Sequence, residues 1–295
     1  MNKAFASYHP VVSFSFFMVI LALAMLLRHP VFVGLNLISA CLFSWFLNGW
    51  RDLRFNFRFG LPMFLLIALA NPLFNHQGQT VLFFFLGQPV TLESTLYGFC
   101  SAASLVGIII WFSCYNKVIT SDKFLYIFAK TIPTVALLIT MSIRMVYKLR
   151  FHLKMIATAQ QAIGLDAGEG RIWQRLRRSM RTLSVLLSWA LEDGIETADS
   201  MKARGYGLRN RSSFSLYRFS RRDGILLSFV AVLGIACLIG YLRGWGALSF
   251  YPSLAPLDLS WPALGMYLCF WVLALLPSLI ELGEKLQWRS YKSVT

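Results

Sequence analysis

Apolar residues in this chain are gathered into long uncharged runs and do not recur at a helical or strand period, which makes the bilayer the first solvent to consider. A run approaching about 20 such residues reads as a membrane span, because a helix of that length crosses the hydrocarbon core. Five runs are clear: Pro10 to Leu27, Pro30 to Trp50, Leu92 to Cys114, Gly224 to Leu242 and Trp261 to Ile280. A sixth, Gly60 to Phe74, is shorter and carries an Asn71-Pro72 break. The first run lacks a strongly charged leader and a small-x-small cleavage site, and five further spans follow it, so it is expected to be a mature helix and not a signal peptide.

The stretch from Tyr115 to Arg222 contains nothing long enough to cross. Ile132 to Ile143 is apolar for 12 residues and Leu183 to Leu191 for fewer, lengths that belong to helices facing a core. The chain is therefore expected to divide into membrane helices 1–4 over 1–114, a cytoplasmic helical domain over 115–222, and membrane helices 5–6 with a tail over 223–295.

Within that middle stretch the period changes to helical. A short helix is expected from Ser121 to Lys130, capped by Thr120 or Ser121 and stopped before Pro133. A long helix from about Thr134 to Ala162 carries Val135, Leu138, Ile139, Ile143, Val146, Leu149, Leu153 and Ile156 on one face, and Gly164 supplies its stop. After a loop from Leu165 to Gly170, a second long helix runs from Arg171 to Ala203 and ends at Gly205 and Gly207. Its face is Ile172, Leu176, Met180, Leu183, Leu187, Ala190, Gly194, Ala198 and Met201, and its length is roughly 50 Å at about 1.5 Å per residue. A glycine inside a helix costs about 1 kcal/mol relative to alanine. Close packing of two backbones over Ala190, Gly194 and Ala198 would compensate, so the two long helices are expected to cross there.

Composition agrees with the bilayer. Hydrophobic residues make up 57% of the chain and charged residues 14%, against roughly 25% charged in soluble domains. Charge then orients the spans. With six spans and the N-terminus inside, the outer loops hold only Arg28 and Arg243 of the 28 basic residues, as the positive-inside rule requires. Both termini are therefore expected inside. The net charge of +15 belongs mostly to one membrane face and does not call for nucleic acid.

Charge on the second long helix opposes the helix dipole. Arg171, Arg175, Arg177, Arg178 and Arg181 crowd its first third, and Glu192, Asp193, Glu196 and Asp199 occupy its last part. An isolated helix prefers the reverse by about 0.3–1 kcal/mol per charge. The arginines either form a solvated surface or meet an external anion, lipid phosphate or an acidic partner.

Catalytic chemistry has no obvious carrier. There is no Gly-x-x-x-x-Gly-Lys-Ser/Thr loop for nucleotide phosphates. His9, His29, His76 and His152 have no ligand spacing, and no cofactor or metal is expected. Glu93 and Glu281 lie near span ends and read as interfacial. Cys41, Cys100, Cys114, Cys237 and Cys269 sit in or at the ends of apolar runs and read as small packing residues.

Three motifs carry a resemblance. Asn71-Pro72-Leu73-Phe74-Asn75-His76 with Gly78, Gly87-Gln88-Pro89-Val90-Thr91-Leu92-Glu93, and above all Met201-Lys202-Ala203-Arg204-Gly205-Tyr206-Gly207 resemble the transmembrane (T) component of energy-coupling factor transporters, prokaryotic importers of vitamins and transition-metal ions. The resemblance implies an all-α integral membrane protein of about six spans in the plasma membrane, with a cytoplasmic coupling domain of one short and two long crossing helices. It implies no catalysis by this chain. Two ATP-binding cassette ATPases would supply the energy, and a separate substrate-binding membrane subunit, the S component, would choose the cargo. In that family each long coupling helix ends in an Ala-Arg-Gly-like motif whose arginine docks on an ATPase. Here Ala203-Arg204-Gly205 keeps the motif, whereas Ala162-Ile163-Gly164 has isoleucine in place of arginine, which points to two non-identical ATPases. A pore-forming ABC permease and a secondary transporter are the alternatives. The large two-helix insert argues against the first, and the scarcity of intramembrane polar residues against the second.

Overall fold

The computed structural model describes residues 4–75, 77–85, 88–129, 132–164, 172–206, 217–246, 248–251 and 260–292. His76, Gly87, Arg171, Gly207 and the loop from Leu165 to Gly170, all marked by the sequence, lie outside the described residues. By its contacts the chain divides into two units, Met1–Phe124 with Tyr217–Thr295, and Leu125–Leu216.

A single helical turn, α1 (Ala4–Ser7), precedes two helices that open on the same tripeptide. His-Pro-Val occurs at 9–11 and again at 29–31, starting α2 (Pro10–Leu26) and α3 (Pro30–Asn48). Proline fits the first helical position because its missing N–H would have no partner there. The Nδ1 atoms of His9 and His29 accept from the N–H groups of Val11 and Val31, each at 3.3 Å. An imidazole can do this only while Nδ1 is unprotonated. Burial lowers the His9 pKa, against a smaller raising effect of the Asp223 carboxylate, so the cap is favoured at neutral pH.

Gly49 alone, at φ +76°, turns the chain from α3 into α4 (Trp50–Phe74). The shorter apolar run is thus the second part of a 25-residue helix, with Arg51, Arg54 and Arg58 on its first turns and not in a loop. Nor does Asn71-Pro72 break it, since α4 runs on through Pro72 to Phe74, as it does through Pro62. Hydropathy marks where a helix becomes apolar, not where it begins. A two-stranded antiparallel hairpin follows, β1 (Val81–Phe85) on β2 (Gln88–Thr91), which the all-helical expectation lacked. The remaining elements are α5 (Leu92–Val118), α6 (Ser121–Ala129), α7 (Pro133–Ala162), α8 (Ile172–Ala203), α9 (Arg221–Leu242) and α10 (Trp261–Lys292). Among the described residues α3, α4, α5, α9 and α10 are long and apolar enough to cross a membrane, and α2 is a shorter apolar helix of 17 residues. The chain is a multi-pass, predominantly helical membrane protein.

In the first unit α5 packs on α3 and α4, α10 on α3 and α9, and α2 on α9 and α5. Its centre is aromatic. Phe5, Phe16, Phe17, Phe43 and Trp111 are buried together, with Phe43 stacked on Trp111 at 5.7 Å and Phe5 edge-on to Phe16 at 5.4 Å. Trp111 Nε1–H donates to Asn36 Oδ1 at 2.9 Å, satisfying a donor that would be costly to bury alone. Gly107 makes room for that amide, because a Cβ there would stand 2.8 Å from Asn36 Nδ2. Gly98 lets α5 approach α4 so closely that a Cβ would meet Asn71 Cβ at 2.9 Å and the Ala68 carbonyl oxygen at 3.0 Å.

Helix ends in this unit are tied by polar groups. The N–H of Phe5 donates to Glu281 Oε1 at 3.3 Å, and Lys123 Nζ donates to the carbonyls of Ala6 and Val118 at 2.5 and 3.2 Å. Asp223 accepts from His9 N–H at 3.0 Å and closes a capping box with Ser220. Lys117 pairs with Asp52, and Lys285 donates to the Phe46 carbonyl at 2.8 Å. At the opposite ends of α4 and α5 the motifs around Asn71 and Thr91 meet. Ser94 Oγ donates to the Asn75 carbonyl at 2.7 Å, Thr91 Oγ1 to the Gln77 carbonyl at 2.9 Å, and Thr80 Oγ1 to Glu93 Oε1 at 2.7 Å. Glu93 and Glu281, read from the sequence as interfacial, are only 2% and 4% exposed within the protein. Glu93 accepts from Thr80, 13 residues earlier, and Glu281 from Phe5, 276 residues away.

Candidate functional site

The second unit is built on α7 and α8, and contacts along their length define how they pair. Thr182 Oγ1 donates to Gln160 Oε1 at 2.7 Å, His152 stacks on Trp189 with centroids 3.5 Å apart, and Lys148 Nζ donates to Asp193 Oδ1 at 2.8 Å. Steps of eight and four residues back along α7 are matched by seven and four forward along α8. The helices therefore lie antiparallel and side by side, as a short connection between helices favours.

These contacts lie on a different stripe of α8 from the small residues marked by the sequence. The stripe of α8 that meets α7 holds Thr182, Trp189 and Asp193, whereas Ala190 and Gly194 each stand one residue, about 100°, further round. Gly194 and Ala198 are exposed and Ala190 half-buried, and a Cβ at Gly194 would meet no atom within 4 Å. Gly194 is not among these contacts, which run between residues 148–160 of α7 and 182–193 of α8. The expected apolar face of α8 points away from this contact, with Leu176, Met180, Leu183 and Leu187 exposed. On α7 Leu138, Ile139 and Val146 are exposed as well.

Pairing also accounts for half of the charge pattern that opposes the dipole. Asp193 and Glu196 line a cleft of about 480 Å³ together with Arg144 and Lys148 of α7, so the acidic end of α8 lies beside basic residues. Arg177 and Arg181, in the basic third, are exposed. No three His, Cys, Asp or Glu side chains among the described residues converge to hold a metal ion.

Both long helices stop in the same way. At the end of α8, Gly205 takes φ +76°, its N–H donates to the Lys202 carbonyl at 3.0 Å, and Tyr206 N–H donates to the Met201 carbonyl at 3.1 Å. These two bonds make a Schellman stop, in which a left-handed glycine lets the chain turn back onto orphaned carbonyls. Gly164 repeats its first half at the end of α7, with φ +74° and an N–H bond to the Gln161 carbonyl at 3.0 Å. The residue before each glycine is thereby presented outward: Ala203 and Arg204 are exposed with Gly205 half-buried, Ala162 and Gly164 are exposed, and Ile163 is 70% exposed. Arg204 joins Arg144, Lys148 and Tyr206 at the cleft. By the register of the pair, Ala203 lies level with residue 138 of α7, so the two stops are about 36 Å apart along the hairpin at 1.5 Å per residue.

The contact residues Thr182, Gln160, His152, Trp189 and Asp193 were not marked by apolar spacing, because they are polar or aromatic. The His-Pro-Val repeat was readable in the sequence and would have located two helix starts.

No family model matches the chain. Three curated proteins similar to it are each named "Energy-coupling factor transporter transmembrane protein EcfT". That of Exiguobacterium sibiricum is 34% identical over 116 residues, 38% of this chain and 43% of the relative. That of Lacticaseibacillus paracasei is 33% identical over 112 residues, 38% of this chain and 40% of the relative. That of Streptococcus thermophilus is 31% identical over 122 residues, 41% of this chain and 46% of the relative. The matched stretch spans less than half the length of each relative, and these similarities support the EcfT family.

Proposed function

We infer from these relatives that the chain is the transmembrane component of an energy-coupling factor transporter, and we propose that it couples ATP hydrolysis in partner subunits to movement of a separate substrate-binding membrane subunit. In this reading it does no chemistry itself. Two ATP-binding cassette subunits dock on the cytoplasmic side, one at Ala203-Arg204-Gly205 and one at Ala162-Ile163-Gly164. Their closure on ATP displaces the ends of α7 and α8, and the membrane helices carry that displacement to the S component, which brings in a vitamin or a metal ion.

The observation that carries this reading is the pair of matching outward stops at opposite ends of one helical hairpin. A rigid bar with a docking residue at each end can be driven by two subunits at once. A guanidinium at Arg204 suits a carboxylate-lined groove through charge-assisted, two-pronged hydrogen bonds. Ordinary helix-ending chemistry would also place an arginine before a C-terminal glycine, so the assignment needs a functional test. Replacing Arg204 by Ala should abolish or strongly reduce co-purification of ATPase subunits and substrate uptake, with membrane insertion unchanged. Unaltered uptake by Arg204→Ala would remove the docking role.

A further inference from the structure

Alternate side chains of a strand point to opposite faces, so a strand at a protein surface normally hides one set and shows the other. In β1 both sets are apolar and both are out: Val81, Leu82, Phe83 and Phe84 are 47%, 53%, 56% and 72% exposed. A strand apolar on both faces is ordinarily buried on both. At these four positions neither face of β1 is covered within this unit.

Three observations say what covers it. Phe74 and Leu73 in the last turn of α4, the helix end to which β2 is held, are exposed too, as are Leu69, Leu65 and Leu61 along the same helix. That helix is long and apolar enough to cross a membrane. The hairpin thus stands at the end of a candidate membrane span whose own apolar residues are exposed. It also carries no charge that an acidic or basic partner could use. From Phe59 to Asn116 there is no Lys, Arg or Asp, and the one carboxylate, Glu93, is buried against Thr80. Finally, the hairpin is held at a set level. Leu92 N–H donates to the Thr80 carbonyl at 3.0 Å, and the Thr91 and Glu93 bonds tie the strand bases to the ends of α4 and α5. That level is the far end of α4 from Arg51, Arg54 and Arg58.

We propose that the β1–β2 hairpin is seated in the bilayer at the boundary of headgroups and acyl chains, on the face opposite the basic residues, with Phe83 and Phe84 in contact with lipid. Its depth follows from its backbone. The outer edges of a two-stranded hairpin carry N–H and C=O groups that hydrocarbon cannot satisfy, so it stays in the outermost zone, about 5–10 Å deep, where amphipathic segments lie. There the hairpin braces the ends of α4 and α5 against the membrane surface.

Site-specific incorporation of the photo-crosslinker p-benzoylphenylalanine tests this in the intact complex in native membranes. It is placed at Phe84, at Leu82 as a second position in the strand, and at Leu66 on α4 as a lipid-facing reference. Irradiation should give a mass shift of one phospholipid at Phe84 and Leu82, as at Leu66. A polypeptide adduct at the two strand positions would assign the patch to a protein partner and overturn the proposal. Absence of any adduct there, while Leu66 labels lipid, would place the hairpin in water and overturn it equally. Neither result bears on docking at Arg204.

Discussion

His9 shows how much a single side chain can hold. Its backbone N–H is bound by Asp223, its ring caps α2, and Phe219 packs edge-on at 5.2 Å. Because burial lowers its pKa below the ordinary 6.5, the folded protein takes up fewer protons than the unfolded chain as pH falls through that value. The stability that His9 contributes is therefore full above pH 6.5 and is lost progressively below it. Asparagine caps helices well and does not titrate. In thermal unfolding of the solubilised protein, stability should fall from about pH 7.5 to about pH 5.5, and His9→Asn should reduce that fall. His29 and Asp223 remain in both proteins, so the difference isolates His9, and identical pH profiles would discard this role. A histidine cap was hidden in the sequence because capping by Nδ1 depends on the ring's rotamer and protonation, which composition and spacing do not report.

At the scale of elements, the start of α7 and the stops of α7 and α8 were readable to within a residue, since a left-handed glycine stop is a local event. The face on which they pair was not. Hydrophobic periodicity says which side of a helix leaves water, but in a membrane protein a lipid or a partner subunit can take that side. Here the helices meet instead through Thr182, Trp189, Asp193 and their partners on α7. Lys148 and Asp193 should therefore be coupled. A double-mutant cycle of Lys148→Ala and Asp193→Ala, read by unfolding free energy, should give about 0.2–1 kcal/mol, the range for a pair still partly in water. Zero coupling would mean that the ion pair does not hold the register.

For the whole molecule, the unlike stops at Arg204 and Ile163 lead to a statement about assembly. On the docking proposed above, a guanidinium and an isoleucine cannot satisfy the same carboxylate-lined groove, because burying unpaired carboxylates against an alkyl chain is costly. The purified complex should accordingly contain two ATPase species, separable by mass spectrometry, and a single species at both sites would rule this out. The sequence alone determined the membrane class, the clustering of basic residues in a few segments and the stops of the long helices. Each follows from a local quantity: the length of an uncharged run, the sign of a loop, the freedom of a glycine. Only the tertiary structure decided that Glu281 is buried against Phe5, 276 residues away, that Glu93 locks the start of the hairpin, that β1 is uncovered on both faces, and that α7 and α8 lie side by side. Those outcomes depend on which groups meet across space, and a hydrogen-bond partner or a packing face has no signature until the chain has folded around it.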